Sequence, residues 1–218
     1  MMLCIIHVWL ALFAGTAFCV GTDGILVQSR IDVPIMPRVS TLPHEAVLQL
    51  TAVLIEGNGW NDADLTAGID EAMAILGQCG LSARHFTLLR VTAPPAFHDL
   101  SNPESRVLAA TLAAARPTVF FVRDTRNQPA FDAEAFGSGN TRSRPELEHS
   151  VWITRLAPDL PETLAHELVH VLANSGLHTD DAANLMYPRT APGRRLLSRQ
   201  QCANTLEAGR KSGLLGRQ

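Results

Sequence analysis

The feature that most constrains this chain is an apolar run, TLAHELVHVL, that extends from Thr163 to Leu172. Two histidines, His166 and His170, stand four residues apart in this run, and most of the other positions are apolar. In an α-helix this spacing places both imidazoles on one face, about one turn apart, while the apolar side chains pack into a core. The run therefore predicts a buried helix that presents two histidines to one point.

This helix carries the residue types of a catalytic zinc site. Two imidazoles one turn apart can reach a single ion at the roughly 2.0–2.1 Å that zinc prefers. Glu167 follows the first histidine, where its carboxylate can act as a base toward a zinc-bound water without binding the ion. A catalytic zinc has three protein ligands and one open position. The motif therefore predicts Zn²⁺ as the cofactor and a third ligand close by.

His178 is the candidate for the third ligand. It follows Gly176, where the helix is expected to have ended and the chain can turn back toward the ion. Asp180 and Asp181 are alternatives, because carboxylates also bind zinc. The suitability of imidazole as a zinc ligand favours His178 over either carboxylate.

The segment that begins at His178 resembles a known protein family. It reads HTDDAANLMYP and ends at Pro188. Together with the preceding HELVH sequence it resembles the metzincin clan of zinc endopeptidases, and it is most similar to the matrixin branch of that clan. This resemblance implies that His166, His170 and His178 are the zinc ligands and that Glu167 is the catalytic base.

The resemblance also implies roles for the residues that follow. Met186 would form a turn beneath the metal without binding it, and Tyr187 and Pro188 would begin the wall of a substrate pocket. The spacing departs from the family pattern, because His178 comes two residues later after His170 than that pattern places it. A longer helix or a wider turn is therefore needed to bring His178 to the metal.

The rest of the chain predicts an α+β fold, in which a mixed twisted sheet is covered by helices. A short edge strand is expected near Phe136, within an irregular stretch from 124 to 149. Asp62 and Ser198 are the predicted N-caps of the first and last helices. The predicted strands cover 46–56, 84–92, 118–122 and 151–154, and the predicted helices cover 62–78, 105–115, 161–174 and 198–209.

The N-terminal residues 1–22 are set apart by their composition. No charged residue occurs from Leu3 to Val20, and the polar residues 21–24 follow. This pattern is typical of a secretory signal segment, and an uncleaved membrane anchor is the alternative. Either reading predicts an exported protein, secreted, periplasmic or membrane-anchored.

The remainder divides into an extended lead-in, 23–43, and a single catalytic domain, 44–218. Within this domain we predict an upper lobe, 44–175, and a smaller loop-rich lower lobe, 176–218. Cys79 and Cys202 are the two cysteines outside the N-terminal segment. In an exported protein they are candidates for a disulfide, and two buried free thiols are the alternative.

The formal net charge of −3 argues against a nucleic-acid partner. The sequence therefore predicts a zinc-dependent endopeptidase that acts on a peptide or protein substrate. The likeness to the family places that substrate antiparallel to an edge strand near 133–142. The alternative is a non-catalytic zinc-binding module, or pseudo-peptidase, that captures a protein partner. Glu167 favours the enzyme, because a purely structural zinc site has no need of a base.

Overall fold

The computed structural model of this chain describes residues 24–36, 45–128, 130–139 and 141–217. These residues form a mixed α+β structure, which confirms the predicted fold class. The predicted signal segment, 1–22, lies outside the described residues. In the part of the chain that is described, no helix has the length and apolar character needed to cross a membrane.

Nine strands in the described residues form two sheets. In chain order they are β1 (Leu26–Pro34), β2 (Ala46–Leu48), β3 (Leu50–Ile55), β4 (Leu81–Ser82), β5 (His85–Thr92), β6 (Thr118–Val122), β7 (Ala133–Phe136), β8 (Ser150–Thr154) and β9 (Leu215–Gly216). The larger sheet has the order β1-β5-β3-β6-β8-β7, and the smaller one has the order β4-β2-β9. In the larger sheet the four inner strands run parallel, and β1 and β7 lie antiparallel at the two edges.

The described residues contain four α-helices. They are α1 (Asp62–Leu76), α2 (Asn102–Leu112), α3 (Leu160–Ala173) and α4 (Arg199–Lys211). Buried residues of α1, α3 and α4 share one hydrophobic core, and those of α2 belong to a second core on the opposite face. Strands β3, β6 and β8 are buried on both faces, so their sequences are continuous apolar runs.

The lead-in differs from the prediction. Its described part, 24–36, contains β1, which pairs with β5 and is therefore part of the larger sheet. The strand was missed because its sequence, LVQSRIDVP, mixes polar and apolar residues, as suits an edge strand that is largely solvent-exposed. Pro34 is tolerated because it lies at the end of an edge strand. Residues 37–44 lie outside the described part of the chain.

The predicted strand 46–56 is in fact two strands. Residues on either side of Gln49 pair in different sheets, β2 with β4 and β9, and β3 with β5 and β6. Both halves are mostly buried, so their common apolar pattern could not show the division. The division matters for the site, because β2 and β9 anchor the end of the chain that follows α4.

The helix ends also differ in part from the prediction. Asn61, and not Asp62, is the N-cap of α1, since its side-chain oxygen accepts a hydrogen bond from the Asp64 amide at 2.9 Å. Helix α2 begins earlier and ends earlier than predicted, because Ala113 adopts a left-handed conformation that stops it. The predicted Ser198 cap is confirmed, and it forms a reciprocal capping box with Gln201.

Candidate metal centre

Helix α3 fixes the positions of the first two histidines. Pro161 lies in its first turn, where a missing N–H costs nothing. Leu164, Leu168 and Leu172 are fully buried in the first core and lock the helix against rotation. Because the apolar face is fixed in this way, His166 and His170 project together from another face of the helix.

The end of α3 brings the third histidine back to the first two. Asn174 is the C-cap in a left-handed conformation, and its amide donates to the carbonyls of His170 and Val171. The Ser175 amide also donates to the His170 carbonyl, at 3.1 Å. This reversal gives the wider turn that the two additional residues before His178 require.

The three Nε2 atoms of His166, His170 and His178 converge. The distance is 2.9 Å between His166 and His170, 3.1 Å between His170 and His178, and 3.3 Å between His178 and His166. In the described residues this is the one cluster of at least three histidine, cysteine or acidic side chains that could hold a metal ion. His166 is buried, His170 is half-buried and His178 is exposed, so the cluster opens toward solvent.

Backbone carbonyls determine which nitrogen of two histidines is free to bind an ion. His166 Nδ1 lies 2.7 Å from the Leu185 carbonyl oxygen, and His170 Nδ1 lies 2.6 Å from that of Ser175. A carbonyl oxygen can only accept, so each Nδ1 must be the donor. In the neutral ring Nε2 then carries a lone pair, and these lone pairs point toward each other.

A cation fits this arrangement better than hydrogen bonds do. Two Nε2 lone pairs facing each other repel unless a positive charge lies between them. Ligand atoms at zinc distances in a tetrahedral site lie about 3.3 Å apart, close to the observed separations. Burial lowers the pKa of His166 to about 4 and also lowers the pKa of His170. Both rings are therefore neutral at pH 7, which is the form that binds metal.

Glu167 lies in the same cleft as the three histidines but outside the metal-ligand cluster. Burial raises its pKa to about 8, and the nearby negative charge of Glu134 acts in the same direction. A carboxyl with a pKa close to neutral can both accept and release a proton during a reaction. The arrangement thus combines three histidines that can hold a Lewis-acidic metal ion with a carboxyl group, Glu167, that can carry a proton.

The cleft has a volume of about 500 Å³. It is lined by the edge strand β7 and the glycines that follow it, by the turn after α3 and by Pro188. The three histidines and Glu167 also line it. A cleft beside an edge strand can accept an extended chain.

The Met186 segment adjoins the histidines, because the carbonyl of Leu185, the residue before Met186, bonds to His166 Nδ1. Met186 is buried, its amide donates to the Asn184 side chain at 2.8 Å, and its carbonyl accepts from the Thr179 amide at 2.9 Å. Pro188 lines the cleft. Tyr187 is not among the cleft-lining residues, and its ring lies 4.5 Å beneath the Arg194 guanidinium.

Asp180 and Asp181 were the alternatives to His178 as the third metal ligand. Asp180 and Asp181 are exposed and lie outside the metal-ligand cluster, and the Asp181 carboxylate accepts from the Ala183 amide at 3.0 Å.

The structure joins Cys79 and Cys202 by a disulfide, with their Cα atoms 4.9 Å apart. This bond links the turn after α1 to α4.

Sequence reasoning missed several residues that hold the site together. The carbonyls of Leu185 and Ser175 carry no sequence signal, because any residue supplies a carbonyl. Glu162 stands one helical turn before His166, a spacing that was visible, but its partner Arg195 lies 33 residues further along the chain in an irregular loop. Asp159 and Thr190 are likewise joined only by tertiary structure.

No protein-family model and no curated protein matches this sequence. In a comparison with solved structures the chain is similar to metalloproteinase-II from Bacteroides fragilis, with a TM-score of 0.53 and 18% sequence identity. The match covers 81% of this chain and 57% of that one, so this chain spans little more than half the length of that metalloproteinase. The likeness supports a metallopeptidase-like fold.

Proposed function

We propose that this chain is a zinc-dependent endopeptidase in which His166, His170 and His178 bind the metal and Glu167 is the general base. The observation that carries the proposal is the convergence of three Nε2 atoms in a cleft that also holds Glu167. The resemblance of residues 163–188 to metzincins of the matrixin type supports it, as does the metalloproteinase-like fold.

The chemistry requires Glu167 to move a proton twice. A zinc ion bound by the three imidazoles would polarise the attacking water and the carbonyl of the scissile peptide. Glu167 would accept the proton of the water as the new C–O bond forms, and would pass it to the amide nitrogen as the C–N bond breaks. Beside a bound cation Glu167 would be in its carboxylate form before attack, because a nearby positive charge favours the ionised carboxyl.

The substrate would lie extended between β7 and the turn that follows α3. An extended peptide can add to a sheet edge through its main chain while alternate side chains enter pockets. Pro188 would contact one of these side chains, since it lines the same cleft as β7. The expectation that residues 133–142 guide the substrate is thereby narrowed to β7 and the glycines after it.

The test compares the wild-type protein with Glu167→Gln. Both should bind zinc equally, because Glu167 does not belong to the ligand cluster. Cleavage of a peptide library should fall by about 10²–10⁴-fold in the variant, since the amide cannot carry the proton. Asp180→Asn removes an exposed carboxylate near His178 and serves as the control.

Two outcomes would contradict this proposal. Normal cleavage by Glu167→Gln would exclude Glu167 as the base. A wild-type protein that binds zinc but cleaves no peptide of the library would favour the alternative, a non-catalytic module that captures a protein partner.

A further inference from the structure

The loop 189–195, which follows the cleft residue Pro188, is fastened to the first turn of α3. Two buried carboxylates, Asp159 and Glu162, make the connection, and we refer to them as the acidic anchor. Asp159 is 4% exposed and Glu162 is 3% exposed. Burial of a carboxylate costs free energy unless hydrogen bonds or an ion pair compensate for it. The partners of these two carboxylates therefore show what their burial achieves.

Asp159 holds the beginning of the loop through two threonines. Its Oδ1 accepts from the Thr163 and Thr190 hydroxyls, each at 3.3 Å, and the two hydroxyl oxygens lie 3.0 Å apart. Within the described residues, Asp159 Oδ2 is buried and has no hydrogen-bond partner. The contact thus joins residue 190, two positions after the cleft residue Pro188, directly to α3.

Glu162 holds the end of the loop. Its Oε1 accepts from the Gly193 amide at 3.1 Å and from Arg195 Nε at 2.7 Å. Burial alone would raise the Glu162 pKa, but the hydrogen bonds from Arg195 and Gly193 hold it below its usual value. The carboxylate is therefore ionised at neutral pH, and these bonds are of the strong, charge-assisted kind. Arg195 also contacts Glu71 of α1 at 3.2 Å.

The anchor lies one helical turn before the residues that would perform the chemistry. Glu162 precedes His166 by four residues, and Thr163 precedes Glu167 by four, so each pair shares a face of α3. The loop is consequently fixed to the same rigid helix that carries the metal ligands. Any shift of the anchor would move Pro188 relative to the histidines.

We propose that Asp159 and Glu162 are positioning residues that fix loop 189–195 and, through it, the cleft residue Pro188, and thereby determine which substrate side chain is accepted beside Pro188. This inference rests on the proposed peptidase function. Two apolar residues could fasten the loop without the cost of burying carboxylates. The directional bonds of the anchor instead define the position of the loop at both of its ends.

The experiment measures KM, kcat and the cleavage-site preference of Thr190→Val and Glu162→Gln with a peptide library. Each variant should bind zinc as the wild type does. The preference at one substrate position should broaden, with KM for the best substrates raised about tenfold, as expected when a side-chain pocket changes shape, and with a much smaller change in kcat. Thr190→Ser keeps the hydroxyl and should restore the wild-type preference.

The matched control is Asp99→Asn, which removes a buried carboxylate bonded to two arginines beside the second core. It should lower stability without changing substrate preference. If Thr190→Val and Glu162→Gln lower stability as this control does but leave KM and preference unchanged, the anchor is merely structural and the inference is wrong.

Whether the wild-type protein cleaves peptides shows which of the two proposals has failed. Failure of the wild type to cleave any peptide would contradict both proposals. Cleavage by the wild type with unchanged preference in the variants would contradict the anchor alone. Amide hydrogen exchange of Gly193 in a Glu162→Ala variant gives an independent readout, since loss of the Glu162 oxygen that accepts from this amide should accelerate its exchange.

Discussion

At the scale of single residues, the backbone carbonyls of Leu185 and Ser175 determine which ring nitrogen of His166 and His170 is free to bind a metal ion. By accepting from Nδ1 of His166 and His170, they leave each Nε2 lone pair directed at a common point. Such second partners hold ligands in place before the ion binds and typically change metal affinity by about 10–100-fold. The site should therefore require little rearrangement to accept a metal.

His178→Ala tests the third ligand. Because removal of a second partner already costs about 10–100-fold in affinity, loss of a direct ligand should weaken zinc binding by more than that. A competition titration with a chromophoric chelator measures the affinity.

Asp180→Ala and Asp181→Ala are the controls for this variant, since both carboxylates lie outside the cluster. They should bind zinc as tightly as the wild type. Unchanged affinity in His178→Ala, together with a loss in either aspartate variant, would transfer the third-ligand role to that carboxylate.

The residues of the site could be predicted where they lie close together in sequence. His166, Glu167 and His170 are fixed by helical spacing, which a sequence displays directly. His178 remained one of three candidates beside Asp180 and Asp181, because an irregular turn has no repeating sequence pattern from which its course could be predicted. The acidic anchor was not predictable, since Asp159 meets Thr190 and Glu162 meets Arg195 only in the folded chain.

At the scale of elements, α4 packs against α3 and holds the Met186 segment in place. The Gln201 side chain exchanges two hydrogen bonds with that of Asn184, at 3.0 and 3.1 Å, and so connects α4 to the Met186 segment. The disulfide connects the same helix to the turn after α1. Helix α4 thus ties the segment that supports His166 to the rest of the first core.

Loss of this disulfide should destabilise the protein. The bond spans 123 residues of sequence, and removal of a native disulfide that closes a long loop typically costs about 2–5 kcal/mol. The variant Cys79→Ser/Cys202→Ser should lower the free energy of unfolding in urea by this amount. Reduction of the wild-type protein should produce the same loss, and equal unfolding midpoints with and without reductant would contradict the expectation.

Elements were predictable where burial leaves a simple pattern. Strands β3, β6 and β8 are enclosed on both faces and consist of apolar runs. Strand β1 was missed because an exposed edge strand obtains its stability from pairing with β5 and not from an apolar face. The partners of β2 and β3 depend on sheet assembly, which a local pattern cannot specify.

At the scale of the whole molecule, two cores lie on opposite faces of one sheet, and α3 belongs to the core that supports the cleft. The other face carries α2 and a polar clamp, in which Asp99 accepts three hydrogen bonds from Arg123 and Arg126 at 2.8–2.9 Å. The general α+β arrangement followed from the alternation of strands and helices. The strand order did not, because it depends on long-range pairing.

The Asp99 clamp should make stability depend on pH. The hydrogen bonds from Arg123, opposed by burial and aided by Arg126, hold the Asp99 pKa below its ordinary value of 3.8. A lowered folded-state pKa adds stability that is complete above the unfolded pKa and is lost as pH falls through the folded pKa. The free energy of unfolding should therefore decrease in this acidic range.

Asp99→Asn isolates this contribution. At neutral pH the variant should be less stable by about 1–3 kcal/mol, the usual cost of a lost bond to a charged group. The difference from the wild type should shrink as the pH falls from about 6 to about 3, because the wild type then loses its own carboxylate. Urea unfolding measures it, and a difference that stays constant over this range would show that the charge of Asp99 is not responsible.

If the three converging histidines hold a zinc ion required for peptide hydrolysis, removal of zinc must abolish cleavage and its return must restore it. The most direct measurement determines the zinc content and peptide cleavage of the purified protein, of the protein stripped by a chelator, and of the stripped protein after zinc is restored. We predict about one zinc per chain, loss of cleavage on stripping, and recovery on addition of about one equivalent. Undiminished cleavage by the zinc-free protein, or a purified protein that binds no zinc, would contradict the claim.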